Sequence, residues 1–399
     1  MNGLDERIAA LVAAAYQNTP LMRRRLDEAG LSAHDIRTVA DLSRIPVLPK
    51  DEVVALQQAD PPFGGMLGVP MSQVRHIFFS PGPIYEPDAG DDDSLVGMAR
   101  LALAQSGFTP DDVVLNTLSY HLVPAGLLLD QALVSLGCTV VPGGIGNSDL
   151  QLKMMADLGV TGYVGTPSFL SALLQKTAEM GHDFAGQYQL RKAFLTAEPL
   201  SAAARQTFTE TYNLTVGNAY ATAELGFLAL NTEGGLAMRL LPEPIIQIVD
   251  PETGDNVGAG EVGEVVVTNF SHAYPLIRLG TGDMAVNVDP NPGASSQAER
   301  SIMLVGRRGE AVKIRGMFVH PNQLRFAAAQ VGYYAGIQGI VTRPDSRDHF
   351  LVRVVGTGDE AVAAHLQEAI RQVCRVRVDE VQFVTAIDGP GMIDRRHWD

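Results

Sequence analysis

The stretch from Asn218 to Gly226, N-A-Y-A-T-A-E-L-G, combines residue types that could hold a nucleotide. It contains one aromatic ring, several small residues and a single carboxylate, and it follows a β-like run from Leu214 to Val216. A tight loop after a strand can hold a planar ring and a metal-bound phosphate together. The same residue types also suit an ordinary structural turn, so the stretch alone leaves both interpretations open.

The segment from residue 94 to residue 216 predicts a regular alternation of helices and strands. Predicted helices cover 94–107, 125–136, 149–158, 166–180 and 201–212, and predicted strands cover 113–118, 138–141, 162–164, 191–196 and 214–216. This alternation predicts a parallel sheet with helices on its faces. Ligands of such sheets bind beyond the carboxyl ends of the strands. The loops at Ser80, Thr196 and Tyr220 each fall at such an end.

The flanking segments predict the remaining architecture. Two short amphipathic helices open the chain, residues 74–79 predict a strand, and the Pro-, Gly- and Asp-rich segment 80–93 predicts a loop. After Gly234 the β-like runs predict an antiparallel subdomain over about 234–306. The last eighty or so residues predict a β-α-β-β-α-β order. We therefore expect an α/β fold with a large domain over 1–306 and a small, mobile α+β domain over 307–399.

Composition restricts the classes of function. The net charge of −15 and the pI near 5.0 argue against a nucleic-acid binder and against a protein that binds anionic membranes. The two cysteines, Cys138 and Cys374, are far apart in sequence, which argues against a disulfide framework or a cysteine-based metal site. The N-terminus lacks an apolar signal region, so we expect a cytoplasmic protein.

Seven segments together resemble the adenylate-forming superfamily, and within it the phenylacetate–CoA ligase branch. In chain order they are R-I-P-V-L-P-K-D-E-V with P-P-F-G-G, L-G-C-T-V-V-P-G-G, G-T-P-S-F-L, A-E-P, Y-A-T-A-E, R-L-G-T-G-D and G-R-R-G-E-A-V-K-I-R-G-M-F-V-H-P-N-Q-L. The resemblance implies that ATP and a carboxylic acid form an acyl adenylate and pyrophosphate, after which the CoA sulfur displaces AMP. It implies ATP or AMP, Mg²⁺ and CoA as cofactors and a small carboxylic acid as substrate. It also implies a homodimer, which members of the family often form.

The resemblance also assigns roles around the nucleotide. The turn Ala197-Glu198-Pro199 would line the adenine, and Tyr220 would stack on it, although a core tyrosine is the alternative. Glu224 would be the catalytic Mg²⁺ ligand whose charge offsets the phosphates, with a solvated carboxylate as the alternative. Thr222 adjoins Ala223, which stands where a Ser or Thr normally reaches the phosphate.

Two further residues would hold the ribose. Asp283 resembles the acceptor for both ribose hydroxyls, since a carboxylate offers two oxygens to two O–H donors. Arg307 resembles a second ribose contact beside the hinge at which the C-terminal domain would swing between half-reactions, about Arg308 to Glu310.

The acyl pocket would take its wall from the segment after the first parallel strand and from the next strand-end turn. The candidate substrate-binding residues are Tyr120, His121, Pro124, Gly143 and Gly144. His121 stands where the family tends to have a small residue. If it lines the pocket, the acid is smaller or more polar than phenylacetate; a structural role is the alternative.

The phosphate loop departs most from the family pattern. The family reads S-S-G-T-T-G-K-P, a flexible loop around the β- and γ-phosphates, whereas this chain reads S-P-G-P-I-Y-E-P from Ser80 to Pro87. Three prolines remove backbone donors, and Glu86 replaces the lysine and would repel a triphosphate. We do not expect this loop to hold ATP in the usual way.

The C-terminal segment departs as well. Gly309 and Glu310 replace the usual pair of hinge aspartates, and Lys313 is the last lysine of the chain. The lysine that bridges the carboxylate and the α-phosphate therefore has no counterpart, although Arg395 or Arg396 would supply a charge with a different geometry.

Three hypotheses follow: a ligase with a remodelled phosphate loop, an enzyme that acts on a preformed acyl adenylate or thioester, and a non-catalytic nucleotide- or acyl-binding homologue that acts through a partner. The retained Tyr220, Glu224, Asp283 and Arg307 are the feature that tests the third hypothesis, because a binder that holds no nucleotide has no use for a metal carboxylate and a ribose acid.

Overall fold

The computed structural model describes residues 3–80, 83–91, 93–315, 317–332, 334–344 and 348–396. The chain divides into two compact units. Unit 1 comprises Met1–Ile246, Val267–Leu279 and Ser295–Ser301, and unit 2 comprises Gln247–Val266, Gly280–Ala294 and Ile302–Asp399. Across the described ranges, no helix has both the length and the apolar character needed to span a bilayer. The division at residues 306 and 307, with a mobile second domain, stays a prediction.

The N-terminal 240 or so residues form ten strands and nine α-helices in the described ranges. In chain order these are α1 (Gly3–Asn18), α2 (Pro20–Glu28), β1 (Leu48–Pro49), α3 (Lys50–Ala59), β2 (His76–Ser80), β3 (Ile84–Asp88), α4 (Asp93–Gln105), β4 (Val113–Asn116), α5 (Ala125–Leu136), β5 (Thr139–Pro142), α6 (Ser148–Asp157), β6 (Gly162–Gly165), α7 (Pro167–Glu179), α8 (Phe184–Gln187), β7 (Lys192–Leu195), α9 (Ala202–Gln206), β8 (Thr215–Thr222), β9 (Gly226–Asn231) and β10 (Met238–Leu240).

The central sheet of unit 1 has the order β10-β9-β8-β7-β6-β4-β5. Strands β5, β4, β6, β7 and β8 are parallel to one another. Strand β9 pairs antiparallel with β8 and with β10. Successive side chains of a strand point to opposite faces. In β4, Val114 packs into the cluster of α4 and α5, and Leu115 packs into the cluster of α6 and α7. Both faces are therefore covered, as the strand–helix alternation predicts.

The predicted N-terminal helices pack on a separate part of unit 1. Residues Ile8, Leu11 and Leu26 of α1 and α2 are fully or almost fully buried in one cluster with Ile277. Arg278 is 1% exposed, and its guanidinium Nη1 donates to the carbonyl oxygens of Ser43 (2.8 Å) and Ile45 (2.7 Å). These hydrogen bonds fix the connector that leads into α3.

The remaining elements begin with four strands in the order β11-β12-β13-β14. Their bounds, and those of the elements that follow, are β11 (Ile245–Val249), β12 (Val262–Thr268), β13 (Leu279–Val288), β14 (Ser301–Arg307), β15 (Val312–Ile314), β16 (Met317–Val319), α10 (Pro321–Val331), β17 (Gly336–Thr342), β18 (His349–Val355), α11 (Glu360–Cys374), β19 (Glu380–Val384) and β20 (Met392–Asp394).

The C-terminal part of unit 2 forms a sheet of order β19-β18-β17-β20. Helices α10 and α11 pack on this sheet through a core that includes Leu324, Phe350 and Leu366, each completely buried. The predicted fold class is confirmed: a parallel-rich sheet flanked by helices, further antiparallel strands and a C-terminal α+β region.

Two segments differ from the sequence expectation. The predicted loop 80–93 contains strand β3, which pairs antiparallel with β2 from Ser80↔Ile84 to His76↔Asp88. Proline is tolerated because a two-stranded hairpin leaves one edge of each strand without a partner in the pairing. The predicted loop from Asn218 is also shorter, because β8 continues to Thr222 and pairs with β9. Pro81, Gly82 and Asp92 of the first segment lie outside the described residues.

We expect Arg278→Met to lower the free energy of unfolding by about 2–4 kcal/mol, because two buried carbonyls lose their donors. Thermal melting should show a midpoint lower by roughly 5–10 °C. The control is Arg24→Met, which changes an exposed arginine of α2 and should leave the midpoint close to that of the wild-type protein. Equal melting of both variants would contradict a structural role for Arg278.

Candidate active site

Two strand-end turns meet at the carboxyl edge of the parallel sheet in unit 1. Strands β7 and β8 are parallel neighbours with Leu195 opposite Asn218, so Ala197–Pro199 and Tyr220 lie at the same edge. The Thr196 hydroxyl donates to the Ala219 carbonyl at 3.1 Å and joins the two turns. The structure thus brings together the residues predicted to enclose an adenine.

The turn after β7 has a strained backbone. Ala197 has φ of +69°, a left-handed conformation that a residue with a Cβ seldom adopts. Such strain persists only where the surrounding structure enforces it, and it concentrates at ligand sites. The Glu198 carboxylate accepts hydrogen bonds from the Ser168 hydroxyl (2.9 Å) and backbone N–H (3.3 Å). Glu198 therefore stabilises the N-terminus of α7, while the exposed backbone of the turn faces the site.

The predicted phosphate side lies at the end of β8. A bulge separates Tyr220 and Ala221, which turns the strand before its last residue. The Thr222 hydroxyl is buried and makes no hydrogen bond within the described part of the chain. The Glu224 side chain is 3% exposed and forms an ion pair with the Lys50 ammonium at the start of α3.

Glu86 of β3 brings a second carboxylate to the same place. It is 5% exposed, and its Oε1 accepts a hydrogen bond from the Ser80 hydroxyl across the hairpin. Burial and the nearby charge of Glu224 raise the pKa of Glu86 to about 7, and the opposing effects of the Ser80 hydrogen bond and the Lys50 charge are smaller. One ammonium thus faces two carboxylates.

The β2–β3 hairpin is anchored on α3. The Gln57 amide donates to the Tyr85 carbonyl (2.8 Å) and to the Tyr274 hydroxyl (3.1 Å), and its oxygen accepts the Tyr85 N–H (2.8 Å). These hydrogen bonds hold β3 and Glu86 in place. The segment that resembles the family's phosphate loop in sequence is therefore an anchored hairpin over its described residues.

A cavity of about 270 Å³ opens between this hairpin, the starts of α4 and α5, and the β8–β9 turn. Pro124, Ala223 and Glu224 line it together with Glu86. Of the five residues predicted for the acyl pocket, Pro124 lies on this cavity, whereas the lining in the described ranges does not include Tyr120, His121, Gly143 or Gly144.

Those four residues have other surroundings. The Tyr120 hydroxyl donates to Asp130 at 2.8 Å and accepts from the Asn116 amide at 2.9 Å; burial and the bond to Asp130 raise the pKa of Tyr120. The Gly144 N–H donates to the Asn116 carbonyl at 3.0 Å. A Cβ on Gly143 would lie 2.7 Å from Leu115 Cδ1. Tyr120, Gly143 and Gly144 thus surround the end of β4, while His121 is exposed.

The predicted ribose pair lies in unit 2. The Arg307 guanidinium Nε is 3.1 Å from Asp283 Oδ1, and Arg307 Nη1 also donates to the Thr281 carbonyl at 3.3 Å. The buried Glu264 of β12 accepts hydrogen bonds from the Gly282 N–H (3.0 Å) and from the Arg308 guanidinium (3.2 Å). The structure brings Asp283 of β13 and Arg307 at the end of β14 together.

The C-terminal arginines differ in availability. The Arg396 guanidinium, a candidate for the missing lysine, contacts Asp394 (2.6 Å) and Asp348 (3.2 Å) and is 6% exposed. Arg395 is exposed and donates its backbone N–H to Val341. Lys313 is held by Asp250 (2.9 Å) and Glu252 (2.6 Å). Arg395 is the better placed of the two arginines to act on a ligand.

The sequence interpretation gave no role to Lys50, although the signal was present. Lys50 is the first residue of α3, directly after Pro49. A cation at a helix N-terminus opposes the helix dipole, so a lysine at that position indicates a nearby anion. Glu224 is that anion in the structure.

The donors at the end of β8 fit a magnesium ion bound with a nucleotide. They are the Glu224 carboxylate and the Thr222 hydroxyl, while the described ranges contain no group of three or more His, Cys, Asp or Glu residues suited to a metal. Mg²⁺ commonly binds through one or two carboxylates, substrate phosphates and water. These two donors therefore suit a Mg²⁺ ion that is also bound by the phosphates of a nucleotide.

We expect Glu86→Gln to change the pH dependence of stability. The Glu86 pKa is about 7 in the folded protein and 4.5 as an isolated group, so its stabilising contribution is present below pH 4.5 and is lost as the pH rises through 7. The free energy of unfolding of Glu86→Gln, measured relative to that of the wild-type protein, should therefore rise by about 2–3 kcal/mol between pH 5 and pH 8. Melting midpoints of both proteins at the two pH values measure this rise. Glu233→Gln, at an exposed turn, should show no such gain.

The chain matches known proteins over most of its length. Residues 93–272 match the family model for AMP-binding enzymes. The chain is 28% identical to the phenylacetate-coenzyme A ligase of Thermus thermophilus over 90% of this chain and 79% of that protein. It is also 28% identical to the phenylacetate-coenzyme A ligase of Escherichia coli K12, over 97% and 89% of the two chains.

The fold matches a solved structure as well. An open conformation of 2-hydroxyisobutyryl-CoA ligase, in complex with 2-HIB-AMP and CoA, aligns with a TM-score of 0.77 at 21% identity and covers 98% of this chain and 90% of that chain. These matches confirm the predicted family and the predicted class, a ligase-like enzyme whose family uses ATP or AMP, Mg²⁺ and CoA. Over residues 93–272 the chain is similar to the AMP-binding enzymes, and over most of its length it is similar in sequence to phenylacetate–CoA ligases.

Proposed function

We propose that this protein activates a small or aromatic carboxylic acid as its acyl adenylate and transfers the acyl group to CoA. The observation that carries the proposal is the meeting of two turns at one sheet edge, where Ala197–Pro199 and Tyr220 adjoin the buried Glu224. Binding of an adenylate requires a pocket for the adenine ring and, close to it, a carboxylate that can hold the metal ion of the phosphates.

The residues of the chain would divide the work as follows. The backbone of the Ala197 turn and the Tyr220 ring enclose the adenine, and stacking on an aromatic ring contributes about 1–3 kcal/mol per base. In unit 2, Asp283 accepts the ribose hydroxyls and Arg307 supports it from the side. Mg²⁺ held by Glu224 would neutralise charge that develops on the phosphates.

The reaction has two steps. In the first, a carboxylate oxygen of the acid attacks the α-phosphorus of ATP, the bond to the β-phosphate breaks, and pyrophosphate leaves. In the second, the CoA sulfur attacks the acyl carbon, the bond to the AMP oxygen breaks, and the thiol proton passes to solvent. The names of the relatives, phenylacetate–CoA ligase and 2-hydroxyisobutyryl-CoA ligase, support an aromatic or short-chain acid.

A second candidate function follows from one observation at the same site. Glu86 lies buried beside Glu224, at the position where the family has a lysine of the phosphate loop. A second negative charge there opposes a triphosphate, and the fixed hairpin offers fewer donors. The alternative is an enzyme that acts on a preformed acyl adenylate or thioester, or a protein that binds nucleotide without catalysis.

Release of pyrophosphate separates the two candidates. With ATP, Mg²⁺ and a panel of aryl and short-chain acids, we expect release that depends on one of the acids. Glu224→Gln should lower kcat about 100-fold or more, since it removes the charge that binds the metal. Glu233→Gln, the exposed control, should retain the wild-type rate. Binding of AMP without release of pyrophosphate for any acid would exclude the ligase and favour the alternative.

The ribose contact has its own test in binding. Wild-type protein should bind AMP at least about tenfold more tightly than 2′,3′-dideoxy-AMP, since hydrogen bonds to a carboxylate contribute about 1.5–3 kcal/mol. Asp283→Ala should remove this difference, whereas Asp255→Ala, at an exposed turn of the same unit, should keep it. Calorimetric titration of the three proteins with the two ligands measures all six affinities. An unchanged preference in Asp283→Ala would exclude Asp283 as the ribose acceptor.

A further inference from the structure

The cavity beside the β2–β3 hairpin has an acidic side and an apolar side. Five carboxylates line it: Glu86, Asp88, Asp91, Asp93 and Glu224. The apolar lining includes Phe78, Leu95, Val96, Leu127 and Leu128. The two basic residues of the lining, Arg75 and His76, are exposed. A cavity of this composition suits a cation with an apolar body and disfavours a polyphosphate.

Three of the carboxylates have internal partners. Asp88 accepts the Gly90 N–H at 2.8 Å and lies 3.1 Å from the ring Nδ1 of His76. Asp91 accepts the N–H groups of His272 (2.7 Å) and Ala273 (2.9 Å). Glu224 is paired with Lys50. These groups hold the hairpin and the neighbouring segment in place, and Asp93 is exposed at the start of α4.

Glu86 is 5% exposed, and its Oε2 accepts no hydrogen bond in the described part of the chain; Glu224 is similarly buried but is paired with Lys50. A buried carboxylate oxygen without a donor costs free energy. The charged groups that face Glu86 are Glu224 from the β8–β9 turn and Lys50 from α3, and Ser80 bonds its other oxygen. One ammonium against two carboxylates leaves one negative charge to be balanced by a proton or by a bound cation.

We infer that this cavity binds an organic ammonium ion, whose –NH₃⁺ group donates to Glu86 and whose hydrocarbon body packs against α4 and α5. An ammonium supplies three donors from one point, which matches the carboxylate oxygen that lacks one. The apolar wall favours such a ligand over a bare metal ion, since it gives the hydrocarbon body a surface to pack against. This site lies beyond the activation of a carboxylic acid, and its occupation can be measured without ATP.

Calorimetric titration with benzylammonium and with benzyl alcohol, in the absence of nucleotide, tests the site. We expect the wild-type protein to bind benzylammonium at least about tenfold more tightly than the neutral alcohol. Glu86→Gln should bind benzylammonium at least about tenfold more weakly than the wild-type protein, since the charge-assisted bond is lost. Glu233→Gln should behave as the wild-type protein does.

Equal affinity for the alcohol and the ammonium would overturn the inference, and so would unchanged binding in Glu86→Gln. Displacement of benzylammonium by Mg²⁺ alone at equal ionic strength would assign the site to the metal instead. Circular dichroism checks that Glu86→Gln is folded. If the variant is not folded, the comparison of the two ligands in wild-type protein still decides. None of these measurements uses ATP, so their failure leaves the proposed ligase activity to its own test.

Discussion

A single ammonium group, that of Lys50, lies among the two buried carboxylates on which the arrangement of the site depends. It joins the start of α3 to the turn between β8 and β9, while Glu86 brings the β2–β3 hairpin to the same point. Gln57, two turns further along α3, anchors that hairpin through Tyr85. Because an isolated buried charge is costly, the start of α3 and the β8–β9 turn cannot separate without leaving Lys50 and Glu224 uncompensated.

The helices and strands of the site can be predicted from the sequence, because the period of the hydrophobic pattern depends on neighbouring residues. The alternation of strands and helices predicted a parallel sheet over β4 to β8, and the rule for strand ends placed Ala197 and Tyr220 at the same edge of that sheet. The β2–β3 hairpin was not predicted from the sequence, because its prolines indicate a loop when the partner strand is unknown. Proline at an unpaired strand edge costs little, which only the pairing with β2 reveals.

The partners of the site residues depend on tertiary structure in the same way. The motif T-G-D indicated Asp283, and the neighbouring strands β13 and β14 bring Arg307 to it. No sequence pattern shows that Tyr120 bonds Asp130 within its own segment, or that Arg396 is held by Asp348 and Asp394. A motif therefore predicts the role that a residue would take in the family, whereas its hydrogen-bond partners decide whether the side chain is available for that role.

The buried carboxylate of Glu86 sets the charge balance at the proposed site, and the two proposals meet there. Phosphates beside Glu224 need positive potential, and ionised Glu86 competes with them for the charge of Lys50. A proton or an ammonium ion on Glu86 removes that competition, so Lys50 then acts against Glu224 and the phosphates alone. Binding energies are reciprocal, so a cation at Glu86 and a phosphate at Glu224 would each favour the other. If both proposals hold, the phosphate half of the site is conditional on a second ligand at Glu86.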